Sequence, residues 1–261
     1  MILAIDVGNT NIVLGYLDGT TVVGRSRIIT RRDGDASPYV EDFHNSLQEN
    51  GLTAEQIDGA ILSSVVPETD AALIEATREV MHCDCMTVRA DMRTDMPICI
   101  EHPETLGADI ITGCVGALAD YGAPVAVVDM GTATTVVVVD KDRNYLGGAI
   151  IPGVKLALKA LTAGTSLLPD LSVVAPQKCI GSLTEDAMLS GAVYGSAAMI
   201  DGLIDRMEDE LGQKLTVVAT GGLAGCIVPY CRRTVSYEPE LLLKGLAVLY
   251  EKQELRSENY D

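Results

Sequence analysis

One pattern occurs twice in this chain, first as Ile2-Leu3-Ala4-Ile5-Asp6-Val7-Gly8-Asn9-Thr10 and again as Val125-Ala126-Val127-Val128-Asp129-Met130-Gly131-Thr132-Ala133. In each copy an apolar run ends in Asp-x-Gly, followed by Asn or Thr. A shift of 129 − 6 = 123 positions superimposes Asp6 on Asp129, Gly8 on Gly131 and Gly24 on Gly147. The simplest interpretation is an internal duplication.

Both copies continue into a second apolar stretch, a polar turn and a third stretch, a pattern typical of antiparallel hairpins built on a buried strand. Each Asp is therefore expected at the end of a strand. The glycine that follows lets the backbone approach a ligand, the Asn or Thr side chain offers a donor, and the carboxylate can hold a hydrated metal ion. An ordinary Asp/Gly turn is the alternative for either copy alone, and the repetition disfavours it. Two such turns facing each other would clamp a polyphosphate.

The charge of the chain argues against nucleic acid as a partner. A net charge of −18 repels the phosphate backbone of nucleic acid, and no basic patch with interleaved aromatic residues offsets it. Small anionic substrates remain compatible, because backbone amides or a divalent cation can make a cleft locally positive.

Length and the repeat together predict two domains in the 261 residues, at 1–120 and 121–261, with a helical insertion at about 180–212. The apolar stretches have the length of strands, so we expect no membrane span, and the amino terminus has no cationic region typical of a signal peptide. We therefore expect a cytoplasmic protein. The seven cysteines lack a C-x-x-C spacing, and most of them are expected to be core thiols. Metal binding by His82-Cys83-Asp84-Cys85 is disfavoured.

Periodicity predicts the other elements. We expect strands within 57–67 and 215–222, and helices over 37–50, 68–81, about 106–121, 154–161, 184–211 and 241–253. The segment Arg256 to Asp261 is expected to be a frayed tail. The second predicted strand ends in Thr220-Gly221-Gly222, where a flat ring could lie against exposed backbone.

The chain has neither a Gly-Lys-Ser/Thr loop nor a G-x-G-x-x-G turn, so any ATP must be held by the duplicated hairpins. Two hairpin phosphate loops with a Gly-Gly turn resemble the superfamily of acetate and sugar kinases, heat-shock chaperones and actin. This resemblance implies an α/β, duplicated two-domain ribonuclease H-like (actin-like ATPase) fold. Each domain would be a mixed sheet with a β-hairpin phosphate loop and flanking helices.

Finer motifs narrow the resemblance. The chain is similar to type III pantothenate kinases in the segments 6–11, 64–67, 107–109, 129–134, 147–153 and 220–223. The resemblance implies that ATP phosphorylates the hydroxyl of pantothenate to 4'-phosphopantothenate, in the first step of coenzyme A biosynthesis. It also implies a homodimer that needs Mg²⁺ and a monovalent cation, K⁺ or NH₄⁺.

The resemblance assigns roles by position. Asp6 would bind Mg²⁺, Asp129 the monovalent cation, and Asp109 would act as the catalytic base. The nucleotide and its phosphates would be bound by Asp6, Gly8, Asn9, Thr10, Asn11, Gly131, Thr132, Thr134, Gly221 and Gly222. The acceptor would be bound by Gly107, Ala108, Asp109 and Ile110, and by Thr184 of the neighbouring subunit. Helix capping is the alternative role for Asp109 and for Thr184.

The sequence departs from the family on the acceptor side. The family normally has Arg where this chain has Ile110 and Tyr where it has Ile100, and Arg31-Arg32-Asp33-Gly34-Asp35 replaces an Arg-Thr-Ala-Asp-Glu-like segment. Losing a guanidinium near a carboxylate removes charge-assisted hydrogen bonds of about 1.5 to 3 kcal/mol each. Whether Lys155, Lys159 or His102 replaces that cation stays open. Two alternatives therefore remain: a related kinase with another hydroxylated acceptor, and a nucleotide-binding regulatory protein without catalysis.

Overall fold

The structure is a computed structural model that describes residues 1–257. Its residues form two compact units. Unit 1 contains Met1–Asp120 together with the chain from Glu240 onward, and unit 2 contains Tyr121–Pro239.

The described chain contains both strands and α-helices. In order they are β1 Ile2–Val7, β2 Asn11–Asp18, β3 Thr21–Ile29, α1 Ser37–Asn50, β4 Gly59–Ser64, α2 Pro67–Met81, β5 Cys85–Thr87, α3 Ala108–Asp120, β6 Val125–Met130, β7 Ala133–Val139, β8 Tyr145–Pro152, α4 Val154–Ala163, α5 Thr184–Leu211, β9 Thr216–Thr220, α6 Ala224–Ile227, β10 Ser236–Tyr237 and α7 Leu241–Ser257.

The two sheets have the same topology. Unit 1 orders its strands β3-β2-β1-β4-β5, and unit 2 orders them β8-β7-β6-β9-β10. In each sheet the first three strands form antiparallel hairpins, and the fourth strand pairs in parallel with the first. The predicted α/β fold with two mixed sheets and flanking helices is confirmed.

Both sheets also share a shift of register between their second and third strands. The ladder of β2 and β3 shifts between Tyr16 and Leu17, and the ladder of β7 and β8 shifts between Val138 and Val139. Gly24 lies opposite Tyr16, and Gly147 lies opposite Val138. A bulge at the same place in both sheets supports the repeat found in the sequence, because bulges are specific features of a fold.

The turns that follow β1 and β6 differ in length by one residue. Val7 pairs with Ile12, so residues 8–11 lie between the last paired positions of the first hairpin. Met130 pairs with Thr134, so only residues 131–133 lie between those of the second. We call residues 8–10 the first loop and residues 131–132 the second loop.

Unit 1 buries both faces of its sheet. One face packs Leu3, Ile5 and Val7 against apolar residues of α1 and α2, including Phe43 and Leu73. The opposite face packs Ala4 and Ile61 against α3 and α7. The alternation of side chains along a strand explains why β1 is apolar on both sides until Asp6.

The last helix belongs to a different unit from the one expected. The sequence placed residues 241–253 in the second half of the molecule, whereas α7 packs in unit 1 against β1, β4 and α3. A Cβ atom on Gly245 would lie 2.0 Å from the carbonyl oxygen of Thr112, so α3 and α7 approach closely through this glycine. Leu246 and Leu249 of α7 are fully buried there. The apolar face of α7 finds its partner more than 100 residues earlier in the chain, a pairing that local periodicity does not reveal.

Unit 2 packs α5 and α6 onto one face of its sheet. Val193, Ala197, Ile200 and Ile204 form the buried stripe of α5, with the spacing of three and four residues typical of an amphipathic helix. By length and composition alone this helix is apolar enough to cross a membrane, a test that the core helix of a folded domain also passes. Its apolar stripe is buried in the core of unit 2.

Several boundaries differ from the sequence expectations. The short strands β5 and β10, of three and two residues, were not expected because such segments carry no periodicity. Helix α7 continues to Ser257, so Arg256 and Ser257 are helical and not part of a frayed tail. Residues 258–261 of the expected tail lie outside the described residues.

Candidate active site

The first loop is held by hydrogen bonds from the end of β3. The Gly8 N–H donates to the Asn11 carbonyl at 3.0 Å and closes the turn. The Thr30 hydroxyl donates to the Gly8 carbonyl at 2.7 Å, and the Thr30 N–H donates to the Thr10 carbonyl at 3.3 Å. The loop that the sequence predicts to hold phosphate is therefore supported by a second strand.

Asp6 stands next to the end of β1, on the sheet face that carries α3 and α7. It lies beside Ser63 of the parallel strand β4. It points to the same face as Ala4, which packs with Ile111 of α3 in one core cluster. The carboxylates of Asp6 and Asp109 therefore belong to the same face of the unit 1 sheet.

Asp109 lies in the first turn of α3 and is largely withdrawn from water. Burial raises the pKa of its carboxyl group, and hydrogen bonds from the Ile110 N–H and its own N–H oppose that shift. The Ile110 N–H donates to Oδ1 at 2.8 Å. Asp109 thus satisfies one amide of the helix amino terminus, as its capping alternative proposed, and it also has the raised basicity that suits a general base.

Gly107 leaves room for this carboxylate. A Cβ atom at position 107 would lie 2.5 Å from Asp109 Oδ1, so a larger residue would displace the side chain. The next position, Ala108, begins α3, and its carbonyl accepts from the Thr112 hydroxyl at 2.7 Å. Gly107, Ala108 and Asp109 therefore form one compact turn.

Two residues depart from the family pattern on the acceptor side, and both have apolar side chains. Ile100 and Ile110 are both partly buried. The three residues considered as replacement cations are exposed, unlike Ile100 and Ile110. His102 is 72% exposed and lies 3.3 Å from Glu104, and Lys155 and Lys159 are exposed on α4 in unit 2.

The second loop in unit 2 is built by close backbone contacts. The Gly153 N–H donates to the Thr132 carbonyl at 3.1 Å. A Cβ atom on Gly153 would lie 2.3 Å from that carbonyl oxygen, so only glycine fits. Thr134, the first residue of the ladder after the loop, is 1% exposed.

Gly221 brings the end of β9 against Asp129. Asp129 pairs with Thr220 in the parallel ladder of β6 and β9, and Gly221 follows directly with φ 94°. A Cβ atom on Gly221 would lie 2.5 Å from Asp129 Oδ1 and 2.6 Å from the backbone of Met130. Gly222 has no atom within 4 Å of its Cβ position, so its backbone faces open space as the predicted nucleotide surface requires.

Thr184 does not have the capping role that was its alternative. Leu183 is the N-cap residue of α5, so Thr184 is the first residue inside the helix. Its side chain is exposed.

The described residues are compatible with Mg²⁺ held mainly by nucleotide. Within residues 1–257, no group of three or more His, Cys, Asp or Glu side chains is arranged to hold a metal ion. Mg²⁺ usually binds one or two carboxylates together with substrate phosphates and waters, and an all-protein cage is not needed. A single carboxylate at Asp6 beside a phosphate loop fits that donor set.

The sequence reasoning missed Arg32. Its Nη2 atom donates to Asn9 Oδ1 of the first loop at 2.7 Å, and its Nη1 atom lies 3.0 Å from Glu68 Oε1. The sequence signal for Arg32 was the pair Arg31-Arg32 shortly after the end of β3, in the segment that departs from the family pattern.

A family model described as type III pantothenate kinase matches residues 2–206. The chain belongs to the type III pantothenate kinase family. Two curated members are similar over nearly their whole length. The type III pantothenate kinase of Moorella thermoacetica is 40% identical over 252 residues, with 97% of this chain and 99% of the relative covered. That of an Exiguobacterium species is 38% identical over 254 residues, with 97% and 100% covered.

A solved structure agrees on the fold. A protein from Sinorhizobium meliloti, described as a candidate 2-dehydro-3-deoxygalactonokinase, superimposes with a TM-score of 0.61 at 14% identity. The superposition covers 96% of each chain. The predicted membership of the type III pantothenate kinase family and the predicted duplicated fold are both confirmed.

Proposed function

We propose that this chain transfers the γ-phosphoryl group of ATP to the hydroxyl of pantothenate and forms 4'-phosphopantothenate, the first step of coenzyme A biosynthesis. Family membership supports the reaction class and the acceptor. The observation that carries the proposal is the partly buried carboxyl group of Asp109 at the start of α3, on the same sheet face as Asp6.

The proposed reaction assigns one task to each group. The acceptor hydroxyl attacks the γ-phosphorus, the bond to the β-bridging oxygen breaks, and ADP leaves. Asp109 receives the hydroxyl proton as the new P–O bond forms, because an alcohol is far less acidic than a carboxylic acid before that point. The amide groups of the first loop and the side chains of Asn9 and Thr10 would bind the phosphates. Most of the acceleration then comes from positioning and charge neutralisation.

Metal ions would complete the nucleotide site. Asp6 would bind Mg²⁺, which would offset the negative charge of the phosphate groups. Asp129, packed against Gly221, would bind a monovalent cation, K⁺ or NH₄⁺. In unit 2, Gly131, Thr132 and Thr134 would serve the second loop, and Gly221 and Gly222 would contact the nucleotide.

The remaining assignments concern the assembly. We propose a cytoplasmic homodimer in which Thr184 of one subunit contacts the acceptor bound by the other. The exposed position of Thr184 at the start of α5 supports this role, because the side chain is free to reach a second copy. Light scattering of the purified chain should give twice the mass of 27.6 kDa, and a monomeric mass at assay concentration would contradict the proposal.

A coupled assay of ADP release tests the reaction. With ATP, Mg²⁺ and K⁺, we expect pantothenate to stimulate ADP release and 4'-phosphopantothenate to accumulate in equal amount. Reactions without acceptor and reactions with Na⁺ in place of K⁺ are the controls. ATP binding without acceptor-stimulated turnover would favour the regulatory alternative.

The apolar residues at 100 and 110 favour a second candidate, a kinase of the same architecture with a less anionic hydroxylated acceptor. An alkyl side chain offers no hydrogen bond to a carboxylate. The kcat/KM for a neutral amide of pantothenate should therefore be close to the kcat/KM for the acid. Comparing kcat/KM for pantothenate and a neutral pantothenamide distinguishes the two. A preference for the acid of tenfold or more would exclude this second candidate.

A further inference from the structure

Arg32 connects the first loop to the amino terminus of α2. Its guanidinium donates to the side-chain oxygen of Asn9 and forms an ion pair with Glu68, in the first turn of α2. Half of the Arg32 side chain is exposed to solvent. The contact to Asn9 joins residues 23 positions apart.

The chemistry of this contact determines how the Asn9 amide is oriented. A guanidinium has donors only, so it can pair with the amide oxygen and not with the amide nitrogen. With Oδ1 occupied by Arg32, the Nδ2 donors of Asn9 are directed away from the guanidinium. A phosphate oxygen is an acceptor only, so the half of the amide that Arg32 does not contact is the half that a phosphate can use. Without Arg32 the two orientations of the amide differ little, because the final torsion of Asn is broad.

Arg32 also supplies positive charge at the loop. The chain carries a net charge of −18, and the first loop follows the carboxylate of Asp6. The neighbouring Arg31 is engaged elsewhere, in a contact with Asp42 and over the ring of Tyr39. The ion pair of Arg32 with Glu68 is about half exposed on both sides, and exposed pairs of this kind contribute little. A polyphosphate can therefore replace Glu68 as the anionic partner of Arg32.

We propose that Arg32 is a phosphate-positioning residue of the first loop. It holds the Asn9 amide so that the NH₂ group donates to a phosphate of the bound nucleotide, and it keeps a positive charge beside that phosphate. The inference deepens the proposed function and rests on it, because it requires a nucleotide phosphate in the first loop.

Calorimetric binding of two ligands tests the inference. The ligands are a non-hydrolysable ATP analogue with Mg²⁺, and adenosine, which lacks phosphates. We expect Arg32→Gln to weaken the triphosphate about tenfold or more and to leave adenosine affinity unchanged. Arg25→Gln is the matched control, since it removes one exposed arginine from the same unit without touching the loop. It should leave both affinities at their wild-type values.

Two further variants separate positioning from simple support of the loop. In an Asn9→Ala background, Arg32→Gln should cost less triphosphate affinity than in the wild type, because the contribution made through Asn9 is already absent and only that of the charge remains. Glu68→Gln should keep or raise triphosphate affinity, since it removes the competing carboxylate. A structural role alone predicts that Glu68→Gln weakens binding and that Arg32→Gln weakens adenosine as much as the triphosphate.

The outcomes distinguish this inference from the proposed function. If the wild type binds the triphosphate and Arg32→Gln binds it equally well, the role of Arg32 is refuted and the kinase proposal stands. Equal losses for the triphosphate and adenosine also refute it. A wild-type protein that binds neither ligand overturns both.

Discussion

Burial, and not a neighbouring charge, is the main cause of the raised pKa of Asp109. This distinguishes Asp109 from carboxylates whose ion pairs keep them ionised, such as Asp95 beside Lys252. A desolvated carboxylate is a stronger base than an exposed one, which is the property that proton transfer from an alcohol needs. The residue-scale predictions concern this group.

Replacing Asp109 by Asn should remove the base and keep the shape of the side chain. We expect kcat to fall about 10²- to 10⁴-fold, the usual contribution of general acid–base catalysis. Asp120→Asn, at the other end of α3 and partly exposed beside Lys244, is the control and should retain activity. A kcat for Asp109→Asn within a few fold of the wild type would assign Asp109 a role in the helix terminus alone.

The pH dependence of the reaction should show the same group. The base is active when deprotonated, and its folded-state pKa lies above the ordinary value of 3.8. As the pH falls, kcat/KM should therefore decline at a higher pH than an ordinary aspartate would give. The free energy of unfolding changes in the opposite direction to kcat/KM. Because the pKa of Asp109 is raised in the folded state, its ionisation lowers the free energy of unfolding as the pH rises through that pKa. Asp109→Asn should consequently be more stable than the wild type at pH 7 in urea unfolding, and lower stability would contradict the burial argument.

At the scale of elements, the turn after β9 depends on one glycine and not on its neighbour. Gly221→Ala places a Cβ atom in contact with Asp129 and Met130 at φ 94°, whereas Gly222→Ala meets no atom within 4 Å. A left-handed conformation alone costs about 1–2 kcal/mol for a residue other than glycine. We expect Gly221→Ala to lower the free energy of unfolding by more than that and to weaken the dependence on K⁺. Gly222→Ala should leave stability nearly unchanged in the same denaturation, and equal losses for both variants would refute the packing argument.

The elements themselves were largely predictable from local sequence. Helix α1 begins with a proline in its first turn and ends at Gly51 with φ 67°, and the pattern predicted both limits. Helix α5 also has the predicted limits, ending at Gly212 with φ 65°. Strand β5 was missed because three residues carry too little periodicity to be recognised.

At the scale of the whole molecule, unit 1 needs the end of the chain. Removing α7 would expose the buried residues of α3 and of the β1–β4 face. We expect a chain ending at Pro239 to lose the cooperative unfolding of unit 1 and to be cleaved within residues 1–120 by limited proteolysis. A chain ending at Ser257 is the matched control and should behave as the wild type. Protection of residues 1–120 without α7 would contradict the assignment of the helix to unit 1.

The candidate site was predictable where its signal is contiguous. The two acidic strand ends, their glycines and the start of α3 each follow from a pattern contained within about ten residues, because hairpin turns and helix starts are determined by local hydrogen bonding. The contact of Arg32 with Asn9 was not predictable in this way. It joins a side chain of the β1–β2 turn to a side chain of the connection between β3 and α1, and no spacing in the sequence indicates that they meet.

The sequence alone determined the duplicated hairpins, the family and the identity of the two acidic strand ends, because each of these is encoded in a short run of adjacent residues. The tertiary structure decided which unit receives α7, how far Asp109 is removed from water and which arginine reaches the first loop. These properties depend on packing between segments distant in sequence, where burial and the availability of a partner, and not local preference, determine the outcome.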